Sequence, residues 1–400
     1  MKIIEREEYL TKLKNFKDKQ LIKVITGIRR CGKSTLLEIF QDYLKNEGVE
    51  NSQIITINFE DPDFKKLKTS DTLYEYVKSK LNKNKMNYIF LDEIQNVDKF
   101  EEAVDGLYIK KNVDLYITGS NAYLLSSELA TVLTGRYVEI KMLPLSFKEY
   151  VSAFEDQKEI SKMFREYLRY GSFPQTLELY NTPEEINTYL DGVYTSVLYK
   201  DVINRKGITD KGILESVTQF LYDNIGNLCT IKKISDTLTS NGRSTSNHTV
   251  ENYVNALIDS FLLYRASRYD IKGKEFLKTQ EKYYAIDIGL RYYLLGQSSG
   301  RDLGHILENI VFLELLRRGY KVYVGKVDEK EVDFVAKNTE NTIYYQVSTS
   351  VRDENTLKRE LEPLKRINDN YPKLILTLDD DLDADFDGIK KINLIDWLLN

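Results

Sequence analysis

The chain has 400 residues, a length that favours two to four domains over one. Apolar residues make up 42% of it and charged residues 30%, proportions that fit a folded protein and exclude a disordered one. Lys and Arg number 57 against 62 Asp and Glu, so the net charge of −5 gives no global attraction to nucleic acid, and such binding needs a local basic patch.

The number of cysteines and the hydropathy of the chain indicate the cellular compartment. The two cysteines, Cys31 and Cys229, are too few for a disulfide framework or a zinc site. The N-terminus has no apolar signal core, and no segment reaches the ~18 apolar residues that span a bilayer. We therefore expect a cytoplasmic protein with no membrane partner.

The first part of the chain alternates helices with apolar strands. A short amphipathic helix at 6–18 comes first, and strands are predicted at 21–26, 53–61, 86–93 and 113–120. Strands that alternate with helices favour a parallel sheet covered on both faces. Because the pattern ends near Pro144, residues 1–145 are predicted to be an α/β core.

A phosphate-binding motif follows the first strand and opens a helix. The segment GIRRCGKS, Gly27 to Ser34, matches G-x-x-x-x-G-K-[ST], in which the glycines let backbone N–H groups face phosphate oxygens. Lys33 would reach the β- and γ-phosphates, and the Ser34 hydroxyl would bind Mg²⁺. Cys31 fills space, although its position at a helix start could lower its pKa. The predicted ATP-binding residues are Gly27, Ile28, Arg29, Arg30, Cys31, Gly32, Lys33, Ser34 and Thr35.

Carboxylates and a second polar turn follow the next apolar strands. Asp92 would complete the Mg²⁺ shell, and Glu93 would orient and polarise the attacking water. Ser120 or Asn121 could sense the γ-phosphate, although Gly-Ser-Asn is also ordinary turn chemistry. Arg136 could act as an arginine finger on a neighbouring subunit, although an Arg before a strand is more often a surface residue.

The middle of the chain is helical. Residues 146–210 are predicted to be a helical lid or linker, interrupted at 170–175 and 181–185, and residues 211–275 have the element order of a winged helix. In its recognition helix Asn247, His248, Glu251, Asn252 and Asn255 would face outward, while Arg243, Lys232 and Lys233 could touch phosphates. Since that helix itself carries no Lys or Arg, a protein-contacting role is an equal alternative.

From His305 onward the order helix, strand, strand, strand, helix, strand is that of a PD-(D/E)XK nuclease-like core, so residues 276–400 are predicted to be such an α/β domain. Active nucleases of this kind bind Mg²⁺ with carboxylates and place a Lys two residues after the last one. Here Glu308 and Asp333 are retained, but Gln346 and Ser348 stand where a Glu and a Lys are needed. We predict a degenerate site without nuclease activity, unless a displaced lysine such as Lys326 or Lys330 compensates.

Several motifs together resemble a known family. GIRRCGKST, YIFLDEIQNV, YITGSNAYLLSSELATVLTGRYVEIKMLPLSFKEY and YLRYGSFPQ are similar to segments of prokaryotic AAA+-type ATPases that carry a C-terminal domain of unknown function. The resemblance covers nearly the whole chain. It implies an ATPase core followed by a winged helix and a nuclease-like domain.

Three functional interpretations follow. The first is a slow Mg²⁺-dependent ATPase coupled to a C-terminal half that binds DNA or a protein partner, with homo-oligomers possible through Arg136. The second is a nucleotide-dependent regulatory switch that binds no nucleic acid. The third is an ATP-driven metal nuclease.

Overall fold

The computed structural model describes residues 4–122, 124, 133–154, 159–179, 182–296 and 302–400. Its contacts divide the chain into two compact units. The described residues up to Pro144, with Asp259–Phe261, form the first unit, and Leu145–Ile258 with Leu262–Asn400 form the second. Within the described ranges no helix is both long and apolar enough to cross a membrane.

The first unit is built on a five-stranded parallel sheet. Its strands are β1 (Ile22–Thr26), β2 (Ile54–Asn58), β3 (Asn87–Asp92), β4 (Val113–Gly119) and β5 (Tyr137–Lys141). They lie in the order β2-β3-β4-β1-β5, and all four neighbouring pairs are parallel. The predicted α/β core with a parallel sheet is therefore confirmed.

Four helices of this unit cover both faces of the sheet: α1 (Glu7–Phe16), α2 (Lys33–Asn46), α3 (Ser70–Lys80) and α4 (Phe100–Tyr108). Apolar residues of α3 and α4 share one core with alternate strand residues such as Val24 and Ile57. On the other face, the Phe40 ring of α2 contacts Phe90 and Tyr116. Because strand side chains alternate in direction, the central strands β3 and β4 contribute to both cores.

The second unit begins with short helices: α5 (Phe147–Ser152), α6 (Ile160–Tyr170), α7 (Pro174–Glu178) and α8 (Pro183–Ser196), which continues through a π-helical segment (Val197–Ile203) and a final turn (Asn204–Lys206). The turn after α6 is fixed by Asp287. This buried carboxylate accepts hydrogen bonds from the Ser172 backbone N (2.6 Å) and Oγ (2.7 Å). At Gly171, φ is 78° and an added Cβ would lie 2.3 Å from Asp287 Oδ1, so only glycine fits there.

The rest of the second unit follows in chain order. Its elements are α9 (Lys211–Asp223), α10 (Ile231–Ser240), α11 (Asn247–Asp259), β6 (Leu263–Asp270), β7 (Glu275–Ala285), α12 (Ile288–Leu295), α13 (Leu303–Arg317), β8 (Lys321–Val327), β9 (Lys330–Lys337), β10 (Thr342–Val347), α14 (Glu354–Lys365), β11 (Lys373–Thr377), β12 (Ala384–Phe386), β13 (Ile389–Asn393) and α15 (Leu394–Leu399).

Strands β6 to β13, the strands in the described part of this unit, form one sheet in the order β12-β13-β11-β10-β9-β8-β6-β7. The β6–β7 hairpin joins it through parallel pairing of β6 with β8, from Arg268 opposite Val324 to Asp270 opposite Lys326. The boundary expected between residues 275 and 276 thus falls inside β7. The acidic run at 379–387 includes β12, which pairs antiparallel with β13.

Candidate functional site

The phosphate loop connects β1 to α2 and depends on glycine. At Gly27, φ is 154° and an added Cβ would lie 2.2 Å from Met142 O, so a side chain is excluded there. Gly32 and Arg30 also have positive φ values, of 101° and 66°. These turns bring the loop onto the N-terminus of α2, where free N–H groups and the helix dipole favour an anion.

Lys33 is the buried cation of this loop. Its Nζ donates to Gly27 O (3.0 Å) and Ile28 O (3.3 Å) and lies 3.4 Å from Glu93 Oε1. Burial opposes the charge of Lys33, but the Glu93 carboxylate keeps the pKa of Lys33 above the ordinary value for a lysine. The ammonium is therefore charged and held by protein oxygens that phosphate oxygens can replace.

Asp92 and Ser34 form a pair of hard oxygen ligands. Ser34 Oγ donates to Asp92 Oδ2 over 2.6 Å, and Thr118 Oγ1 donates to Asp92 Oδ1 over 2.5 Å. Burial raises the pKa of Asp92, and these two hydrogen bonds work against that rise. A hydroxyl and a single carboxylate fit Mg²⁺, which prefers such ligands together with water and substrate phosphates.

Glu93 follows β3 with a left-handed backbone, φ 54°. Its backbone N donates to Thr118 Oγ1 (2.9 Å), and its Oε2 accepts from Gln95 Nε2. Although burial would raise the pKa of Glu93, Lys33 and Arg29 lower it below the ordinary value. Glu93 is therefore an ionised carboxylate beside the loop, as a general base requires.

Asn121 lies just beyond β4 and is 1% exposed. Its Oδ1 accepts from Leu124 N (3.3 Å), whereas its Nδ2 has no hydrogen-bond partner in the part of the chain that the structure describes. A buried, unpaired N–H donor next to the loop is what a sensor of the γ-phosphate needs.

Arg136 lies at the opposite edge of the sheet. It immediately precedes β5, and its backbone O accepts from Ile22 N at the start of β1. The phosphate loop follows the far end of β1, about 16 Å away at ~3.3 Å per strand residue. The Arg136 guanidinium pairs with Asp105 and lies 5.6 Å from the Tyr108 ring centroid. Arg136 therefore does not reach the loop of its own chain.

The sequence analysis missed two residues of α1 and its N-terminus that support the loop. Arg6, 4% exposed, donates to Cys31 O (3.0 Å) and Leu143 O (2.6 Å). Tyr9 OH accepts from Leu143 N over 3.1 Å.

Burial raises the pKa of Cys31, so the expectation that the helix start lowers it is wrong. Thr118 and Gln95 were missed as well. Of these two, Thr118 could have been found from sequence, because it is a polar residue within an apolar strand.

A second cluster of charges lies in the second unit. Lys282 of β7, 2% exposed, has its Nζ 3.0 Å from Glu308 Oε2 and 2.7 Å from Glu331 Oε1. Glu308 and Asp333 are both buried and interact electrostatically with Lys282. Burial opposes the Glu308 charge, but Lys282 lowers the pKa of Glu308 below its ordinary value, whereas burial and Glu308 raise that of Asp333.

The lysines named as candidates for a displaced cation are elsewhere. Lys326 Nζ is 4.0 Å from Glu329 Oε1, and Lys330 Nζ is 2.8 Å from Glu362 Oε2. No pattern in the sequence singles out Lys282, because it belongs to a hairpin strand far along the chain from Glu308 and Glu331. It is the lysine that the fold brings to the carboxylates.

Gln346 and Ser348 are held by internal hydrogen bonds. Gln346 Oε1 accepts from Asp333 N (2.7 Å), and its Nε2 donates to Glu360 Oε2 (2.9 Å). Ser348 Oγ donates to Ser350 O over 3.1 Å. The Gln346 oxygen is thus engaged by backbone, and within the described ranges no group of three or more His, Cys, Asp or Glu side chains is arranged for a metal ion.

The predicted recognition helix is α11. Ser246 Oγ caps it by accepting from Thr249 N over 3.1 Å. The structure exposes Asn247, His248, Glu251 and Asn252 and half-buries Asn255, while Val250 and Leu257 are buried. The three basic residues flanking it, Arg243, Lys232 and Lys233, are exposed.

Comparison with known proteins agrees with this geometry. An AAA domain (AAA_14) matches residues 19–151, and a domain of unknown function (DUF8612) matches residues 161–301. The fold is similar to that of the Walker-type ATPase PABY2304 of Pyrococcus abyssi, with a TM-score of 0.52 and 16% identity over 73% of this chain and 96% of that one.

Two relatives are similar over nearly the full length. An uncharacterized protein of Haemophilus influenzae is 43% identical over 401 residues, 99% of both chains. Uncharacterized protein MJ1544 of Methanocaldococcus jannaschii is 31% identical over 398 residues, 94% of this chain and 85% of that one. The match places an AAA-type P-loop ATPase domain over the phosphate loop, at residues 19–151, and the chain belongs to one family with these two proteins.

Proposed function

We propose that the protein hydrolyses ATP with Mg²⁺ at the Gly27–Thr35 loop, and that the nucleotide state controls what its second unit binds. The observation that carries this proposal is the convergence of three functions at one edge of the sheet. Lys33 supplies a buried cation, Ser34 and Asp92 supply adjacent oxygen ligands, and Glu93 supplies an ionised base.

Each residue has a defined task in this reaction. Lys33 exchanges its carbonyl partners for β- and γ-phosphate oxygens and stabilises their charge. Ser34 and Asp92 would hold Mg²⁺, which neutralises charge on the phosphates when bound. Glu93 accepts the proton of the attacking water, and Asn121 Nδ2 donates to a γ-phosphate oxygen.

The test is phosphate release with matched variants. Lys33→Ala should abolish ATP binding, and Glu93→Gln should retain binding and lose turnover by about 10² or more. Lys45→Ala, which removes an exposed lysine of the same helix, is the control. Turnover of Glu93→Gln equal to that of the wild type would refute the role of Glu93, and turnover unaffected by EDTA would refute the role of Mg²⁺.

For the second unit we infer a helical linker (146–210), a winged helix that begins at residue 211 and ends with the β6–β7 hairpin, and a PD-(D/E)XK-like core in the residues that follow it. Three helices followed by the β6–β7 hairpin support the winged helix. Helix α13 followed by β8, β9, β10, α14 and β11 supports the core. Lys282 neutralises carboxylates that active nucleases use for Mg²⁺, and Gln346 is engaged by Asp333 and Glu360. These contacts favour a binding role without cleavage.

Cleavage assays separate this proposal from an ATP-driven nuclease. We expect no cutting of DNA or RNA with Mg²⁺ or Mn²⁺, with or without ATP. Cutting by the wild type that Asp333→Ala stops would establish the nuclease and overturn the inactive-site proposal.

A regulatory switch without nucleic acid is the second candidate. It is favoured by α11, which carries Glu251 and Asp259 and no Lys or Arg. Phosphate release measured with and without DNA distinguishes the two, since a DNA-coupled ATPase changes its rate when DNA binds. Arg136, which lies away from its own loop, remains our candidate for a finger that acts on a second copy.

A further inference from the structure

Gln95 contacts the base of the hydrolytic site directly. It lies two residues after Glu93, in the short 3₁₀ turn Ile94–Asn96 that follows β3. Its Nε2 donates to Glu93 Oε2 and lies 3.2 Å from Ser120 Oγ, at the end of β4. One amide therefore joins the carboxylate to the strand that also leads to Asn121.

The remaining polar atoms of this group are incompletely paired. Gln95 Oε1 and Asn121 Nδ2 are both buried, and neither has a hydrogen-bond partner within the described parts of the chain. Buried polar atoms in folded proteins are nearly always paired with protein, water or ligand. The unpaired acceptor belongs to the side chain that contacts Glu93, and the unpaired donor follows Ser120 by one residue, so together they offer the hydrogen-bond partners that a water molecule between a base and a phosphate needs.

We propose that Gln95 is a positioning residue for hydrolysis, an inference that rests on the proposed ATPase function. Its amide N–H holds the Glu93 carboxylate in place, and its Oε1 accepts a hydrogen bond from the attacking water. Asn121 Nδ2 donates a hydrogen bond to a γ-phosphate oxygen. The two unpaired atoms are thereby both satisfied when substrate and water are present.

The chemistry balances without a further reactant. The water oxygen forms a bond to the γ-phosphorus, the bond from that phosphorus to the β–γ bridging oxygen breaks, and the electron pair leaves with ADP. The proton of the water passes to Glu93. Gln95 takes no proton, because its amide is neutral, so it orients the water without competing with the base.

Gly119 limits where the Gln95 side chain can lie. A Cβ added at Gly119 would lie 3.0 Å from Gln95 Oε1 and 2.7 Å from Leu124 Cδ2. The absence of a side chain at residue 119 therefore leaves space for the Gln95 carbonyl at the end of β4.

The experiment compares Gln95→Leu with Gln41→Leu, a matched change at a glutamine whose Oε1 accepts a surface hydrogen bond from Thr56. Phosphate release gives kcat and KM, and fluorescence titration gives Kd for ADP and for ADP with aluminium fluoride, a mimic of the transition state. For Gln95→Leu we expect kcat to fall by about 10²-fold and the affinity for the mimic to fall in parallel. The KM and the Kd for ADP should stay within about twofold, because ground-state binding is unchanged.

Two further variants keep the inference falsifiable. Gln95→Glu retains the shape but replaces the donor to Glu93 by a like charge, so it should also lose turnover. Wild-type turnover in both Gln95 variants, or equal losses of affinity for ADP and for the mimic, would overturn the inference. If Glu93→Gln also retains full turnover, the failure lies in the proposed function and not in Gln95 alone.

Discussion

Lys282 Nζ lies 3.0 Å from Glu308 Oε2, which joins strand β7 to helix α13 by a buried ion pair. A charge removed from water is tolerated only when a partner of opposite sign is close. Glu331 Oε1, 2.7 Å from the same nitrogen, adds a second partner. The pair thus connects the hairpin that follows α11 with the acidic cluster of the C-terminal strands.

Replacing Lys282 by Met should destabilise the second unit by about 3–5 kcal/mol, because buried carboxylates would lose their counter-ion. Urea unfolding of the full chain measures this loss. Lys330→Met is the control, since both side chains of its pair with Glu362 are partly open to solvent, where ion pairs contribute little to stability. Equal stabilities for the two variants would contradict the assignment of Lys282 as the required cation.

Gln346 and Glu360 should show strong coupling. Gln346→Glu removes the amide donor to Glu360 and places two carboxylates together, so we expect a loss of about 1–3 kcal/mol. Adding Glu360→Gln restores one donor and one acceptor and should recover most of the loss. A double-mutant cycle by urea unfolding gives the coupling energy, and additive effects would mean that the contact does not govern residue 346.

Gly171→Ala should destabilise the second unit by about 1–3 kcal/mol, because the new Cβ would collide with the Asp287 carboxylate at a left-handed backbone position. Gly192→Ala provides the matched control. Gly192 lies in α8 with nothing within 4 Å of an added Cβ, so alanine there should be neutral or stabilise by up to about 1 kcal/mol. Thermal unfolding measures the melting temperature of both variants. Similar melting temperatures for Gly171→Ala and Gly192→Ala would argue against the Asp287 contact.

DNA binding by α11, if it occurs, should be modest and should weaken strongly with salt. Arg243→Ala should weaken it similarly for all sequences and reduce the salt slope by about 1, as expected for one lost phosphate contact. Fluorescence anisotropy over a salt series measures both quantities. Undetectable binding at low salt, with and without ATP, would favour a protein partner for this helix.

The nucleotide site could be predicted from sequence because its chemistry lies in contiguous segments. Glycine spacing and a strand ending in Asp92 and Glu93 identify the loop and the acids that the fold then brings together. Arg6 could not be predicted in this way, since its contact with Leu143 joins positions 137 residues apart. Lys282 was missed for the same physical reason, because burial of a lysine depends on partners that only the folded sheet supplies.

The C-terminal strands show a related limit. Strands β8 to β11 have clear apolar patterns, and these patterns are what made the element order of the C-terminal part readable from sequence. Residues 384–386 were not predicted as a strand, because acidic residues surround them and their pairing with β13 is set by the fold. The β6–β7 hairpin also belongs to this sheet. No local sequence pattern could predict that, because it depends on tertiary pairing with β8.

Parallel pairing of β6 with β8 joins the β6–β7 hairpin to the C-terminal strands in one sheet. A gene truncated after residue 275 would encode β6 without β7 on one side and without β8 on the other. Its product would present two open strand edges that are prone to pair with other chains. Domain shuffling at this position is therefore disfavoured, and a recombination that preserves this sheet must carry β6, β7 and β8 together.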